Sequence, residues 1–404
     1  MTTSRAPTFG PFVLDQLLGV GGTAEVYVAH RSEAPEQRFV VKRIRPELAT
    51  NEEFARRLEL EAQVASKARH PNLIRFLEYG RVGDCRYIVL EHVRGYNLSR
   101  VLEHASKRPG VDVCLSIAKG LLGALSAMHA YVDDSGAHRP VLHRDVTPNN
   151  IVLTLEGRPV LIDLGIAKDV LGPAITQIGK VIGTSRYMSP EHKLNEFLDE
   201  RTDVFSASAV IFEAIAGRPP WPKLAGAKEL LRTVFDPPEI DDELAGRVSR
   251  SVLEVLEKGL ACDRSMRYRN AAEMLRALEA TPECQAREGQ EEWRAIREWL
   301  DGAGVTPDDE LDQPVVKSAS AVAGSEPVRW TSDGHIASKS ASSEKPAASH
   351  ATVLDVPPLP PARHALTLTR DIRIPAELAP SRRWPVYAVV ALVLIIVALA
   401  FLLR

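Results

Sequence analysis

The sequence has few of the features that mark secreted, metal-cluster or nucleic-acid-binding proteins. Its 404 residues include four cysteines, far apart along the chain and without the close pairs of a metal site. This sparing use of cysteine is typical of a reducing compartment and argues against a disulfide framework. The formal net charge of −3 provides no basic excess to attract nucleic acid. Residues 1–11 lack the apolar core of a secretion signal.

One long apolar run lies near the end of the sequence, at residues 386–403, interrupted only by Tyr387. This length is about enough for a helix to span the hydrocarbon core of a membrane. Arg382 and Arg383 precede the run, and basic residues favour the cytoplasmic side. A buried core helix is the alternative, but nothing nearby in the sequence could cover such a helix on all sides. We expect a single-pass anchor in the cytoplasmic membrane, with the preceding domain in the cytoplasm.

Changes in composition divide the rest of the chain. Apolar periodicity and turn signals continue to about residue 280, as in a folded domain, here 12–280 after an N-terminal extension, 1–11. Trp293, Ile296 and Leu300 are spaced as on one face of a helix, which predicts an amphipathic helical extension at 281–302 that docks on the domain or on a partner. Residues 303–381 are rich in Ala, Ser, Pro and acids, so we expect a disordered linker.

A polar cluster between two apolar runs, at residues 141–153, is the stretch around which the domain is organised. Asp145 could accept a proton there, and Asn150 could offer its amide oxygen to a metal. A short β-type run then ends at Asp163, followed by Gly165. Carboxylate and amide oxygens are hard ligands that suit Mg²⁺.

A glycine-rich stretch, residues 18–27, lies between two β-like segments. Glycines allow the backbone to approach phosphate groups closely, where a side chain would obstruct them. A glycine-rich hairpin turn without a ligand would look the same in the sequence.

Lys42 and Glu61 form the second candidate pair. Strand alternation puts Lys42 on the same face as Val40 and Ile44, so it is either a lysine at a sheet edge or one inside a cleft. Glu61 falls in the apolar stripe of a helix that begins near 50–53, a plausible capping box. A carboxylate that faces the core requires a partner, and Lys42 is the obvious one. Glu61 at the margin of the stripe, in water, is the alternative.

Together these motifs resemble protein kinases, and specifically the bacterial eukaryotic-type serine/threonine kinases. The resemblance is carried by the His143-Arg144-Asp145 triplet with Asn150, and by Asp163-Leu164-Gly165 after it, in the family's order and spacing. It implies an α+β bilobal fold, with a small β-rich N-lobe containing one main helix and a larger helical C-lobe. It also implies transfer of the ATP γ-phosphate to serine or threonine hydroxyls of proteins.

The resemblance assigns a role to each matching residue. Asp145 would orient the substrate hydroxyl and accept its proton, while Lys42, fixed by Glu61, would hold phosphates. Asn150 and Asp163 would bind Mg²⁺. The ATP site would be formed by Gly19, Val20, Gly21, Gly22, Val26, Val40, Lys42, Glu91 and Val93.

Two departures from the family pattern leave other functions open. Thr147 stands where serine/threonine kinases generally carry a lysine, and Ala24 replaces the third glycine of the nucleotide loop. A pseudokinase scaffold, which binds nucleotide or partners without efficient transfer, is therefore an alternative. A small-molecule phosphotransferase is another, although the stretch 183–191 resembles the end of a kinase activation segment and favours protein substrates.

The resemblance also suggests how such an enzyme is regulated. Arg144 before the catalytic aspartate often accompanies activation by phosphorylation, so we expect autophosphorylation at Thr176, with Ser185 a second candidate. A homodimer for trans-autophosphorylation fits this expectation. In the C-lobe, Glu191 would pair with buried Arg267, and Asp203 would brace the catalytic loop.

Overall fold

The computed structural model describes residues 7–133, 135–163, 185–221, 232–286, 291 and 293–307. The chain divides into two units, Met1–Pro327 and Val328–Arg404, and every described residue belongs to the first. Several expectations concern parts of the chain outside the described residues. They are Gly165, Thr176, the linker beyond residue 307 and the membrane span at 386–403.

The N-lobe is built on a six-stranded antiparallel sheet with the order β1-β2-β3-β4-β6-β5. The strands are β1 Thr8–Phe9, β2 Phe12–Val20, β3 Ala24–Arg31, β4 Ala34–Ile44, β5 Phe76–Val82 and β6 Cys85–Glu91. Burial alternates at the start of β2 and around residues 39–41 of β4, whereas residues 87–90 of β6 are buried without interruption.

Strand β4 shows how this alternation positions Lys42. Phe39 and Val41 belong to a cluster with Phe12 on one face of the sheet. Val40 and Ile44 belong to a second cluster on the other face, which also contains residues of the main N-lobe helix. Lys42 lies between Val40 and Ile44 in this alternation, so it faces the helix. The predicted face of the strand is confirmed.

The main N-lobe helix, α1, spans Glu52–Lys67. The sequence pattern suggested a capping box that starts at Thr50, but the N-cap is Asn51, whose side chain accepts a hydrogen bond from the amide of Glu53 at 2.9 Å. Asparagine caps a helix at least as well as threonine, which explains the later start. The buried face of α1 includes Leu58 and Glu61, in agreement with the predicted stripe.

The C-lobe is mainly helical and has α3 at its centre. Nearly every apolar side chain of α3 lies in one large core cluster, which also contains residues of most other C-lobe helices. The helices are α2 Leu98–His104, α3 Val111–His129, α4 Pro190–Lys193, α5 Glu200–Ala216, α6 Asp242–Arg247, α7 Arg250–Gly259, α8 Ala271–Glu279, α9 Pro282–Gln285 and α10 Arg294–Gly302.

Within the described ranges, α3 is the one helix long and apolar enough to cross a membrane. Most of it is buried inside the C-lobe, as in the central helix of a folded domain. Its apolar character is therefore explained by the core.

A small three-stranded sheet supports the predicted catalytic loop. It consists of β7 Gly95–Asn97, β8 Ile151–Thr154 and β9 Pro159–Leu161, all antiparallel. The polar stretch before β8 is irregular and ends in a 3₁₀ turn at Pro148–Asn150, directly before the buried strand. The loop is thus held between buried segments, as the sequence predicted.

The segment after the kinase-like region packs on the C-lobe through α10. This helix spans Arg294–Gly302, the last part of the predicted extension at 281–302. Ile296, Trp299 and Leu300 are buried in the same core cluster as α3. Gly157, at φ +88°, lies so close beneath α10 that a Cβ atom there would be 2.5 Å from the Trp293 carbonyl oxygen. The extension is therefore an integral layer of the fold.

Candidate active site

Lys42 forms ion pairs with two carboxylates, and these connect the N-lobe helix α1 with the segment that follows β9. Its Nζ lies 2.5 Å from Oε1 of Glu61 on α1 and 3.5 Å from Oδ1 of Asp163, which follows β9. Glu61 is only 3% exposed. The predicted ion pair is thus present, and the alternative that placed Glu61 in water is wrong.

The charge of Lys42 is stabilised by these neighbours. Burial by itself would lower the pKa of Lys42, but the nearby Glu61 and Asp163 carboxylates outweigh burial and raise the pKa above its usual value. Lys42 therefore remains a cation at any physiological pH. A fixed positive charge is what a phosphate-binding lysine needs.

The glycine-rich stretch forms the turn between β2 and β3, and β3 pairs with β4, the strand that carries Lys42. The amide of Gly21 donates to the carbonyl of Ala24 at 2.7 Å, which closes the turn. In the strand register, Val26 pairs with Lys42, and Gly19 pairs with Val26. The same face of the sheet therefore carries Lys42, Val26 and Gly19. The turn that follows Gly19 contains Val20, Gly21 and Gly22.

Glu91 and Val93, which the resemblance assigns to the ATP site, lie at and just beyond the end of β6, the strand that pairs with β4. Val40 pairs with Leu90, and Phe39 pairs with Glu91. The Glu91 carboxylate accepts a hydrogen bond from the Arg75 amide at 3.0 Å, so its side chain is engaged with β5. Contact with a nucleotide at this position would be made by the backbone. Val93, beyond the strand end, packs against the cluster that contains Val40.

Asp145 and Asn150 are joined directly within the catalytic loop. The Asn150 Nδ2 donates to both the carbonyl oxygen and Oδ2 of Asp145, each at 2.8 Å. The Asn150 carbonyl accepts from the Ile162 amide at 2.9 Å, which ties the loop to the residue before Asp163. The predicted proton acceptor and both predicted metal ligands therefore belong to one connected structure.

The donor set fits a magnesium ion that is shared with phosphate. Because the amide nitrogen of Asn150 is engaged with Asp145, its oxygen is the atom it can offer a cation. Asp163 contributes a carboxylate that is about one third exposed. Over the described ranges, no group of three or more His, Cys, Asp or Glu could hold a metal alone. An ion here would take its remaining ligands from phosphates and water, as Mg²⁺ commonly does.

Asp203, at the start of α5, braces the catalytic loop from below. Its two carboxylate oxygens accept from the amides of His143 and Arg144, both at 2.8 Å, and from His129 Nε2 at 3.0 Å. Burial alone would raise the pKa of Asp203, but these hydrogen bonds reverse the effect and lower it. Arg144 has φ +63°, an unfavourable value for a non-glycine residue, and the contacts to Asp203 hold it there.

The end of the activation segment is fixed by a second buried ion pair. Arg267 donates from Nη1 and Nη2 to the two oxygens of Glu191, at 2.7 and 3.0 Å. Thr202 donates to the same carboxylate at 2.9 Å. This confirms the predicted Glu191–Arg267 pair. Ser185 begins the 3₁₀ turn Ser185–Tyr187 just before it, while its side chain lies outside the description.

Sequence reasoning missed the contact between Tyr187 and Glu213. The tyrosine hydroxyl donates to Oε2 of Glu213, on α5, at 2.5 Å. Burial raises the pKa of Glu213, although Tyr187 and Arg186 act in the opposite direction. The available signal was a glutamate inside the otherwise apolar stretch Phe212-Glu213-Ala214.

Thr147 does not take the place of the missing lysine. It is almost fully buried, and its carbonyl accepts from the Asn150 amide at 3.0 Å. Its local contribution is to the shape of the loop. Lys168 could supply a positive charge in place of that lysine, but it lies outside the described residues.

Comparison with known proteins agrees with this geometry. A profile of the protein kinase domain matches residues 12–278. The chain is 31% identical over 279 residues to the tyrosine-protein kinase MasK of Myxococcus xanthus, covering 67% of this chain and 43% of MasK. It is 30% identical over 269 residues to the serine/threonine-protein kinase PknD of Mycobacterium tuberculosis, covering 66% and 39%. The chain thus spans about two fifths of the length of these relatives.

Among solved structures, the Mycobacterium tuberculosis PknI kinase domain is similar. The identity is 25% and the TM-score 0.48, and the match covers 69% of this chain and 99% of that one. Because the kinase domain profile covers well over half of the sequence, the chain belongs to the protein kinase family.

Proposed function

We propose that this protein is an active serine/threonine protein kinase that uses Mg-ATP. The observation that carries the proposal is the arrangement of Lys42 between Glu61 and Asp163, with the joined Asp145–Asn150 pair on the adjacent loop. The phosphate-binding lysine, its glutamate partner, the proton acceptor and both metal ligands are retained there, although Thr147 replaces the lysine of the catalytic loop. This retention weighs against a pseudokinase scaffold, which Thr147 and Ala24 favour.

In this proposal the residues divide the work of positioning and charge neutralisation. Mg-ATP supplies the transferable phosphoryl group. Lys42 binds phosphate oxygens, and Glu61 keeps its ammonium in place. Asn150 and Asp163 hold the metal, while Asp145 orients the substrate hydroxyl and takes its proton. The glycine turn covers the phosphates, and the backbone at Glu91 and Val93 meets the adenine.

The substrate class follows from the site and from the relatives. We propose protein serine and threonine hydroxyls, because PknD and further relatives are named serine/threonine-protein kinases. Pro148 in the catalytic loop also resembles the serine/threonine type of kinase more than the tyrosine type. One relative is named a tyrosine kinase, so tyrosine is the competing acceptor. Autophosphorylation at Thr176 or Ser185, in a transient homodimer and with the phosphate bound by Arg144, belongs to the same proposal.

We also propose a cellular location for the protein, from its sequence. Residues 386–403 would anchor the chain in the cytoplasmic membrane, the linker 303–381 would tether it, and residues 12–280 would act on the cytoplasmic face.

The experiment is phosphoamino-acid analysis of a generic protein substrate treated with the full-length chain, Mg²⁺ and γ-labelled ATP. The Asp163→Asn variant and an EDTA-treated sample serve as controls, because each removes the proposed metal. We expect phosphoserine and phosphothreonine that depend on both Asp163 and Mg²⁺. Phosphotyrosine alone would contradict the acceptor class, and nucleotide binding without transfer would favour the scaffold.

A further inference from the structure

A groove at the end of the C-lobe extension stands apart from the proposed active site. It encloses about 200 Å³ and lies between α2 and the residues that follow α10. Its walls are formed by Tyr96, Arg100, Val101 and His104 on one side, and by Gly304, Val305 and Thr306 on the other. We call it the α2 groove. None of the residues assigned to ATP, metal or proton transfer lines it.

The chain enters the α2 groove at a fixed point. The Trp299 Nε1 donates to the Lys107 carbonyl at 2.9 Å, and the Ala303 carbonyl accepts from both the amide and hydroxyl of Ser106, at 2.9 and 3.0 Å. Gly304 then adopts φ +68°, the left-handed conformation that ends a helix and redirects the chain. Val305 and Thr306, which follow this turn, therefore lie along the groove wall.

The charge of the groove wall is opposite to that of the sequence that comes next. The wall carries the Arg100 guanidinium and the His104 imidazole, together with the Tyr96 phenol. Residues 308–312 read Asp-Asp-Glu-Leu-Asp, four acids around one leucine. This is the densest acidic run between the kinase-like region and the membrane span. Glu103 is also on α2, but it does not line the groove.

We propose that residues 308–312 of this chain bind in the α2 groove. The segment begins two residues after Thr306, so at about 3.5 Å per residue it reaches no farther than roughly 20 Å from the wall. This is about twice the length of α2. Because the contact is intramolecular, its effective concentration is of order millimolar, so the segment is bound for most of the time if the Kd of the contact is below about a millimolar.

Such binding would attach the start of the linker to the helix beside the catalytic loop. α2 is capped by Asn97, whose side chain accepts from the amides of Ser99 and Arg100. The Asn97 Nδ2 also donates to the Asn149 carbonyl in the catalytic loop at 2.7 Å. The α2 groove is thus one short helix away from Asn150. Binding of residues 308–312 in the α2 groove would fix the place where the linker leaves the kinase domain.

Hydrogen exchange of the full-length protein in zwitterionic lipid nanodiscs tests the proposal. One variant neutralises the segment (Asp308→Asn, Asp309→Asn, Glu310→Gln, Asp312→Asn), and another changes the groove (Arg100→Glu). The matched control neutralises four acids farther along the linker (Glu326→Gln, Asp333→Asn, Glu344→Gln, Asp355→Asn). We expect amides of 304–312 to exchange at least about tenfold slower than an unstructured chain, and each test variant, but not the control, to remove that protection.

Three results would overturn the proposal. The first is exchange of 308–312 at the unstructured rate in the wild type, and the second is protection that survives Arg100→Glu. The third comes from repeating the measurement with anionic lipid. Protection of α2 that appears only with anionic lipid, and equally in the neutralised variant, would make a lipid headgroup the occupant in place of this segment.

Discussion

The ion pair in the N-lobe and the ion pair in the C-lobe are built in different ways. Glu191 and Arg267 form a bidentate pair with side chains at most 3% exposed, and Arg267 also donates to the carbonyls of Ala261 and Cys262 at 2.7 and 3.1 Å. Lys42 instead shares one ammonium between Glu61 and Asp163, at the edge of a cleft. Each nitrogen of the Arg267 guanidinium has a protein acceptor, whereas Lys42 could exchange one of its two carboxylate partners for a phosphate.

This difference separates a structural pair from a functional one. A planar guanidinium whose donors all meet protein acceptors fixes two segments rigidly. A lysine is a compact charge on a flexible stem and can contact a phosphate while it keeps one carboxylate. We therefore expect damage to the C-lobe pair to reduce stability, and damage to the N-lobe pair to reduce activity.

The largest effect is expected from Arg267→Met, measured by urea denaturation. The substitution leaves the Glu191 carboxylate buried without its partner, which costs about 3–5 kcal/mol of unfolding free energy. Adding Glu191→Met should recover about 2 kcal/mol, because both members of the pair are then gone. An Arg269→Met control removes only an exposed pair with Glu273 and should change stability by less than about 1 kcal/mol. Equal effects of the two arginine substitutions would contradict the structural role.

Lys42→Met should reduce phosphate transfer about a hundred- to a thousandfold. The reason is that it removes a pre-organised charge from the transferring phosphate while it retains much of the apolar stem. It takes the ammonium away from buried Glu61, but at a site shared with the partly exposed Asp163, so we expect it to lower the unfolding free energy by less than Arg267→Met does. Lys107→Met, at an exposed position, is the matched control. A Lys42→Met protein that unfolds as readily as Arg267→Met would place both pairs in the structural class.

Glu61→Gln should have a smaller effect, about ten- to a hundredfold in transfer rate. The amide still accepts a hydrogen bond from Lys42, and Asp163 still balances its charge, so only the charged part of one contact is lost. Glu59→Gln, on the same helix but partly exposed, provides the control. A loss in Glu59→Gln as large as in Glu61→Gln would show that helix stability, and not the pair, is responsible.

Acid should weaken the C-lobe pair gradually. Burial alone would raise the pKa of Glu191, but Arg267 outweighs burial and holds it below the usual value of 4.5. A carboxyl with a lowered pKa in the folded state contributes stability above its unfolded pKa and loses it as the pH falls through the folded pKa. The stability difference between wild type and Glu191→Gln should therefore be constant near neutral pH and shrink below about 4.5. A difference independent of pH would rule out this linkage.

The active site could be predicted from the sequence because each pattern that indicates one of its residues lies within a short stretch of the chain. Strand alternation placed Lys42, helical spacing placed Glu61, and the short distance from Asp145 to Asn150 restricts both to one loop. The positive φ of Arg144 could not be predicted, because it depends on Asp203, which is 59 residues away from Arg144 in the chain. The cap at Asn51 instead of Thr50 reflects a choice between two neighbouring residues that are both good caps.

Contacts between distant segments were predicted where the family resemblance supplied them, as for Glu191–Arg267, and were hard to predict elsewhere. The only sign of the hydrogen bond from Tyr187 to Glu213 was one carboxylate in an apolar helix. The spacing of apolar residues predicted that the extension docks, but not that α10 contacts Gly157 and the Ser106–Lys107 turn, since a turn glycine and a surface serine are unremarkable in a sequence. Such contacts can be identified only in the folded structure, where the two segments lie next to each other.

The most direct test of the account compares the rate of γ-phosphate transfer by Asp145→Asn and by wild type, at saturating Mg-ATP and with equal unfolding free energies. We expect a loss of at least about a hundredfold, because asparagine keeps the hydrogen bond to Asn150 but cannot accept the proton. Transfer by Asp145→Asn at the wild-type rate would contradict this expectation, since the proposed proton acceptor would then have no part in the reaction.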